Sequence, residues 1–115
     1  MTDDLSQYKG LRPAPARGTR MLPEGTFANE VAVITGGGSG LGKAIAAEFG
    51  RLGGAVAIAS RDPDKRARGV AAVEEAGGRA IGVQLDVRDP EAVKACFDEV
   101  EDQLGPITQL VNNAA

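Results

Sequence analysis

The chain contains no histidine and no tryptophan, a single cysteine and a single tyrosine among its 115 residues. Without histidine, a Ser-His-Asp triad and a Cys/His zinc site are excluded within this sequence. The lone Cys96 cannot form an internal disulfide, which fits a reducing compartment. Long apolar runs are also missing: no stretch approaches the roughly 18 residues that suggest a membrane span, and the N-terminus lacks the apolar core of a secretory signal. A basic excess is missing too. The net charge of -3 argues against a nucleic-acid partner and leaves small molecules as the expected ligands. Arg12, Arg17 and Arg20 hint at an organellar transit peptide, but Asp3, Asp4 and Glu24 speak against one, so a cytoplasmic location is expected.

What is present is an ordinary globular composition, 43% hydrophobic and 25% charged, at a length that allows one domain. The first 26 residues hold Gly10, Pro13, Pro15, Gly18, Pro23 and Gly25 without periodicity and read as an irregular arm. From Phe27 onward short apolar runs alternate with helical patterns, the signature of βαβ units and a parallel sheet. Val31 to Thr35 reads as the first strand. The helix that follows places Leu41, Ile45, Phe49 and Leu52 at near-helical spacing and ends at Gly53-Gly54. Ala55 to Ala59, apolar throughout, reads as a strand covered on both faces. Asp62-Pro63 supplies a cap and a first-turn proline for a helix that stops at Gly77-Gly78. Ala80 to Leu85 is the third strand. Asp89-Pro90 repeats the helix start, with a stripe of Val93, Phe97, Val100 and Leu104, and Gly105-Pro106 ends it. Thr108 to Asn112 is the fourth strand.

Between the first strand and the first helix lies Thr35-Gly36-Gly37-Gly38-Ser39-Gly40-Leu41-Gly42. A strand, a glycine turn and a helix N-terminus bring free backbone N–H groups and a positive dipole end to one point, where a dinucleotide pyrophosphate can sit. Gly36 would permit the sharp exit from the strand, Gly40 would let the backbone approach the phosphates, and Gly42 would allow close helix packing. Ser39 and Leu41 would contribute backbone N–H groups. The spacing Gly-x-x-x-Gly-x-Gly differs from the common Gly-x-Gly-x-x-Gly fingerprint. After the second strand comes Ser60-Arg61, where an acid would suit the ribose hydroxyl of NAD and an arginine the phosphate of NADP. A guanidinium fork beside a neutral hydroxyl favours NADP; the competing reading is an exposed arginine paired with Asp62 or Asp64. Lys65, Arg66 and Arg68 read as surface charges, the competing reading being long-range attraction of a 2′-phosphate. Cys96 lies one position off the helix stripe, with no histidine to activate it, and reads as a helix filler.

Thr35-Gly36-x-x-x-Gly40-x-Gly42, Asp86-Val87 and Asn112-Asn113-Ala114 together resemble the short-chain dehydrogenase/reductase family, over Phe27 to Ala115. The resemblance implies a Rossmann-like doubly wound parallel sheet of order 3-2-1-4, here reaching its fourth strand. It further implies that Asp86 and Val87 bracket the adenine, that Asn113 and Ala114 line the adenosine ribose with Ala115 beside them, and that Asn112 ties the central strands together. Ile58-Ala59-Ser60-Arg61, Asp86-Val87-Arg88-Asp89-Pro90 and Asn112-Asn113-Ala114-Ala115 narrow the likeness to the 2,4-dienoyl-CoA reductases. The implied reaction is NADPH-dependent reduction of a 2,4-dienoyl-CoA, in a homo-oligomer. A 3-oxoacyl thioester or an alcohol/ketone stays open as the substrate, and so does a non-catalytic nucleotide-binding module. In this family a Ser, a Tyr and a Lys that protonate the substrate lie downstream of the last motif. No catalytic residue is therefore expected within 1–115, and Tyr8 has no lysine at the family spacing. A chain of this extent is expected to hold the cofactor-binding half alone, to be inactive by itself, and to expose an apolar edge at its fourth strand.

Overall fold

The computed structural model describes Gly10 and residues 12–114; Tyr8 and Ala115 lie outside the described residues. In chain order the elements are β1 (Val31–Thr35), α1 (Gly40–Arg51), β2 (Ala55–Ser60), α2 (Pro63–Glu75), β3 (Arg79–Gln84), α3 (Pro90–Leu104) and β4 (Gln109–Val111). The strands pair in parallel, as the alternating pattern predicts, and in the order β3-β2-β1-β4, the doubly wound order that the resemblance implies. β1 aligns Val31 with Ala55 and Thr35 with Ala59 on one side, and Ile34 with Val111 on the other.

Each face of the sheet builds its own core. Val31, Val33, Ala57, Ala59 and Val83 face α3 and meet Cys96 and Val100, while Ala32, Ile34, Val56 and Ile58 face α1 and α2 and meet Ala46, Phe49 and Val73. The continuous apolar runs of β1 and β2 follow from this double coverage. Burial of each large side chain, such as Ile34 or Ile58, contributes about 1.5–3 kcal/mol.

Two helix faces differ from the periodicity reading. Leu41 is 71% exposed, and α1 instead buries Gly42, Ala46, Phe49 and Gly50, so the face it presents to the sheet is made largely of small residues. Close approach to α2 and the turn after it accounts for Gly50: a Cβ on Gly78 would meet the Gly50 Cα at 2.6 Å, leaving room for backbone against backbone only. In α3, Cys96 sits in the core at 2% exposure, whereas Val93, Phe97 and Leu104 pack only partly buried around it. Burial, then the Glu99 carboxylate, pushes the Cys96 thiol up, so it is an inert packing residue.

Strand boundaries shift by small amounts for identifiable reasons. β2 runs to Ser60 because Ser60 pairs with Gln84 across the ladder. β3 begins one residue earlier than expected, at Arg79 opposite Ala55. β4 is confined to Gln109–Val111 by a threonine at each end. Thr108 donates its N–H to the Val31 carbonyl at 2.9 Å, and its hydroxyl accepts the Val31 N–H at 2.9 Å. At the other end Thr35 closes the β1–β4 pair through its hydroxyl. β4 pairs only with β1 among the described residues, and Leu110 on it is 48% exposed.

Gly10 and residues 12–26 are exposed, and the chain then docks at Phe27. The Phe27 ring stacks on Phe49 with centroids 4.1 Å apart, and its N–H reaches the Leu52 carbonyl at 2.9 Å.

Candidate functional site

Ligands of open parallel sheets bind beyond the carboxyl ends of the strands, and there the chain forms a cavity of about 450 Å³. A larger one of about 610 Å³ lies at the amino ends, beside Val31, Ala55 and Arg79, and receives none of the motif residues. The chemistry read from the sequence converges on the first.

The glycine turn forms one wall. Gly36 takes φ +68°, a left-handed conformation that lets the chain leave β1 abruptly, while its N–H still bonds the Ala59 carbonyl at 3.0 Å. Gly42 sits behind it, buried; a Cβ there would run into the Gly36 carbonyl oxygen and the Asn113 amide. Gly40, at φ +53°, has open space where a side chain would project. Ser39 is an exposed wall residue, and Leu41 projects outward from the first turn of α1.

The helix above that turn differs from the others. α2 is capped by Asp62, whose carboxylate accepts the N–H groups of Asp64 at 2.9 Å and Lys65 at 3.4 Å. α3 is capped by Asp89, which accepts the Glu91 N–H at 3.0 Å. Both also carry an acid in the first turn, Asp64 and Glu91. In α1 the Ser39 side chain makes no capping bond and the first turn holds no acid, so its N–H groups and positive dipole end face the cavity mouth uncompensated.

At the end of β2, Ser60 and Arg61 line the cavity with Lys65. Arg66 donates to the Ser60 carbonyl at 2.8 Å, and the Asp62 N–H reaches the Ser60 hydroxyl oxygen at 3.2 Å, leaving the hydroxyl proton free to donate. Arg61 forms no ion pair among the described residues, because Asp62, its expected competitor, turns its carboxylate to the α2 cap.

Beyond β3, Asp86, Val87 and Arg88 form the next wall. The Arg88 guanidinium grips the Asp86 carboxylate with two bonds of 2.9 Å, and the Arg88 N–H adds a third at 3.0 Å. These bonds, side chain before backbone and assisted by the charge of Arg61, hold Asp86 far below the usual carboxylate range. Val87 is 56% exposed, an apolar surface at the cavity rim.

At the end of β4 the central knot is Thr35. Its hydroxyl accepts the N–H groups of Asn113 at 2.9 Å and Ala114 at 3.0 Å and donates to the Val111 carbonyl at 3.3 Å, so all its hydrogen-bonding capacity is used. The Asn113 amide also donates to the Gly36 carbonyl at 3.3 Å, joining the last motif to the glycine turn. Among the described residues the ties between β1 and β4 at this end are made by Thr35 and Asn113, and Asn112 is exposed.

Gly36, Ser39, Ser60, Arg61, Asp86, Val87, Asn113 and Ala114 thus share one cavity. Gly40 and Leu41 stand at the helix mouth, Gly42 lies behind the wall, and Ala115 is outside the described residues. Thr35, Lys65 and Arg88 also belong to the site: Thr35 and Arg88 lie within the quoted motifs without a role assigned to them, and Lys65, read as a surface charge, lines the cavity. Thr35 had one available signal, a hydroxyl ending an otherwise apolar strand.

A family model described as short chain dehydrogenase matches residues 30–115. An uncharacterised oxidoreductase of Caenorhabditis elegans is 46% identical over 82% of this chain and 31% of its own length. A protein of the same organism named as a probable 2,4-dienoyl-CoA reductase is 38% identical over 88% of this chain and 33% of its own. Among solved structures, a citronellol catabolism dehydrogenase of Pseudomonas aeruginosa PAO1 superposes with a TM-score of 0.77 at 33% identity, over 81% of this chain and 39% of that one. The chain spans about a third of the length of the curated relatives it matches. The fold, the shared cavity and these matches agree: the chain belongs to the short-chain dehydrogenase family.

Proposed function

We propose that this chain supplies the cofactor-binding region, within 27–115, of an oxidoreductase that uses NADPH. The observation that carries the cofactor choice is Arg61, without an ion pair among the described residues, beside the Ser60 hydroxyl, with Lys65 lining the same cavity. In α2 the first-turn N–H groups are taken by Asp62, and Pro63 has none to offer. A ribose 2′-phosphate would therefore be held by side chains, and Arg61 is the one that offers a bidentate fork. The pyrophosphate would meet the uncapped α1 N-terminus, the adenine would lie between Asp86 and Val87, and the ribose would rest on Asn113 and Ala114. The bound cofactor supplies the hydride. The chain's own residues would bind and orient it.

For the whole protein, NADPH is expected to bind at least about tenfold more tightly than NADH, with Arg61→Ala erasing that preference and leaving NADH binding unchanged. Calorimetric titration with both cofactors tests this. Equal affinities, or a preference that survives Arg61→Ala, would sink the NADPH assignment.

The substrate reading is a 2,4-dienoyl-CoA, supported by relatives bearing that name at 38% identity. A second reading, a ketone or secondary alcohol, is favoured by a protein named 3beta-hydroxysteroid dehydrogenase, also 38% identical, over 78% of this chain. Turnover of a 2,4-dienoyl-CoA by the whole protein with NADPH, compared with turnover of a hydroxysteroid, separates the two. Failure to consume the dienoyl thioester would remove the first.

A further inference from the structure

The cavity contains cations in two states. Arg61 and Lys65 are free of ion pairs among the described residues, whereas Arg88 is committed to Asp86 through both its Nε and an Nη. The neutralised pair is placed by topology. If the pyrophosphate meets α1 at the end of β1 and the 2′-phosphate meets Arg61 at the end of β2, the next position outward in the order β3-β2-β1-β4 is the end of β3. That is where a base attached to the ribose would lie, against the exposed Val87 and beside Asp86. This placement rests on the dinucleotide reading of the site.

A carboxylate has about four lone-pair positions. On Asp86, Oδ1 accepts both the Arg88 N–H and Nε, and Oδ2 accepts one Nη, which leaves one position, on Oδ2. The fork also removes the carboxylate's rotational freedom. The turn around it is closed by the Asp89 N–H on the Asp86 carbonyl at 3.1 Å. A single acceptor in a fixed direction at the rim of a base pocket selects for a donor. The purine edge offers one in the exocyclic amino group of adenine, whereas hypoxanthine presents a carbonyl oxygen there, which a carboxylate repels.

We propose that Arg88 is a positioning residue for base selectivity: it clamps Asp86 so that its one remaining lone pair accepts the amino group of an adenine and rejects a 6-oxopurine. The other charges facing Asp86 are consistent with this role. Arg61 attracts the carboxylate from the end of β2 without bonding it, Asp62 and Asp89 are turned to their helix caps, and Lys65 lines the same cavity without an ion pair to Asp86 among the described residues. Arg88 itself is not a phosphate ligand, since its fork is occupied.

The test uses the whole protein and two reduced cofactors, NADPH and its hypoxanthine counterpart, with binding followed by nicotinamide fluorescence. Wild type is expected to prefer NADPH by about tenfold, the scale of one hydrogen bond to a charged acceptor that is part-exposed rather than buried. Arg88→Ala is expected to bring the ratio of the two dissociation constants below about threefold, and Arg88→Lys, which cannot bridge both oxygens, is expected not to restore it. A merely structural role for Arg88 would weaken both cofactors together and leave the ratio unchanged, which overturns the proposal. An undiminished ratio in Arg88→Lys overturns the fork as its cause. If wild type binds neither cofactor, the dinucleotide reading itself falls, and the proposal falls with it.

Discussion

The N-termini of α2 and α3 and that of α1 solve the same problem in opposite ways. Every helix begins with N–H groups that have no partner inside the helix. α2 and α3 satisfy theirs locally, with Asp62-Pro63 and Asp89-Pro90 at the start and an acid in the first turn. α1 begins with glycines, an uncapped Ser39 and no acid. An absent cap costs about 0.5–2 kcal/mol of helix stability, so α1 is the less stable start when nothing is bound. An anionic ligand offsets that cost because the orphan donors and the dipole act on the same charge. Two helix starts thus serve stability, and the third is open to the anionic ligand proposed for it; the difference lies in a few side chains.

The comparison breaks most severely if the open start is filled. Gly42 is in the first turn of α1 and lies against the Gly36 carbonyl and the Asn113 amide. Gly42→Val would push α1 away from both the glycine turn and the last motif. Overpacking of this kind costs about 1–3 kcal/mol, and the expected result is loss of NADPH affinity by more than about a hundredfold in the whole protein, with a lowered thermal midpoint. Titration with affinity within a few-fold of wild type would show that Gly42 does not hold the cradle's shape.

Converting α1 to the pattern of its neighbours is the next largest change. Ser39→Asp supplies the missing cap, and so should raise the stability of the unliganded protein by about 0.5–1 kcal/mol. The same carboxylate then repels the pyrophosphate and takes its donors, so NADPH affinity should fall by about ten- to a hundredfold. Opposite signs in thermal melts and binding titrations are the informative outcome. A parallel gain or loss in both would show that the open N-terminus is not a binding feature.

Much of this contrast is legible in the amino-acid sequence, because it is written in residues whose backbone consequences are local. Asp-Pro starts and Gly-Gly stops mark α2 and α3, the apolar runs mark β1 and β2, and the spacing of Gly36, Gly40 and Gly42 marks the cradle. What stays hidden is tertiary. Periodicity suggests that Leu41 and Ile45 face inward, but α1 packs so closely that Gly42, Ala46 and Gly50 take the buried face and Leu41 is turned to solvent. The same limit applies to Cys96, which a stripe of larger residues conceals although it is buried in the core of α3. Thr35 and Arg88 are harder still. Their roles depend on which carbonyls and carboxylates stand within 3 Å or so once β1 meets β4 and the turn after β3 closes, and sequence spacing does not encode those distances.

The smallest expected effect is a control on the other side of the comparison. Asp89 caps α3 and does not line the cavity, and its carboxylate accepts the Glu91 N–H at 3.0 Å. Asp89→Ala removes that bond and the favourable charge at the dipole's positive end, and should lower stability by about 1 kcal/mol. For a domain of this size that corresponds to a drop of roughly 4–8 °C in the thermal midpoint. The Asp86–Arg88 fork does not use the Asp89 side chain, so NADPH affinity should stay within about twofold of wild type. Stability lost without binding is the mirror image of Ser39→Asp. If Asp89→Ala weakened NADPH as strongly as Ser39→Asp does, the α3 cap would also be part of the binding surface, and the division of labour among the helix starts would have to be redrawn.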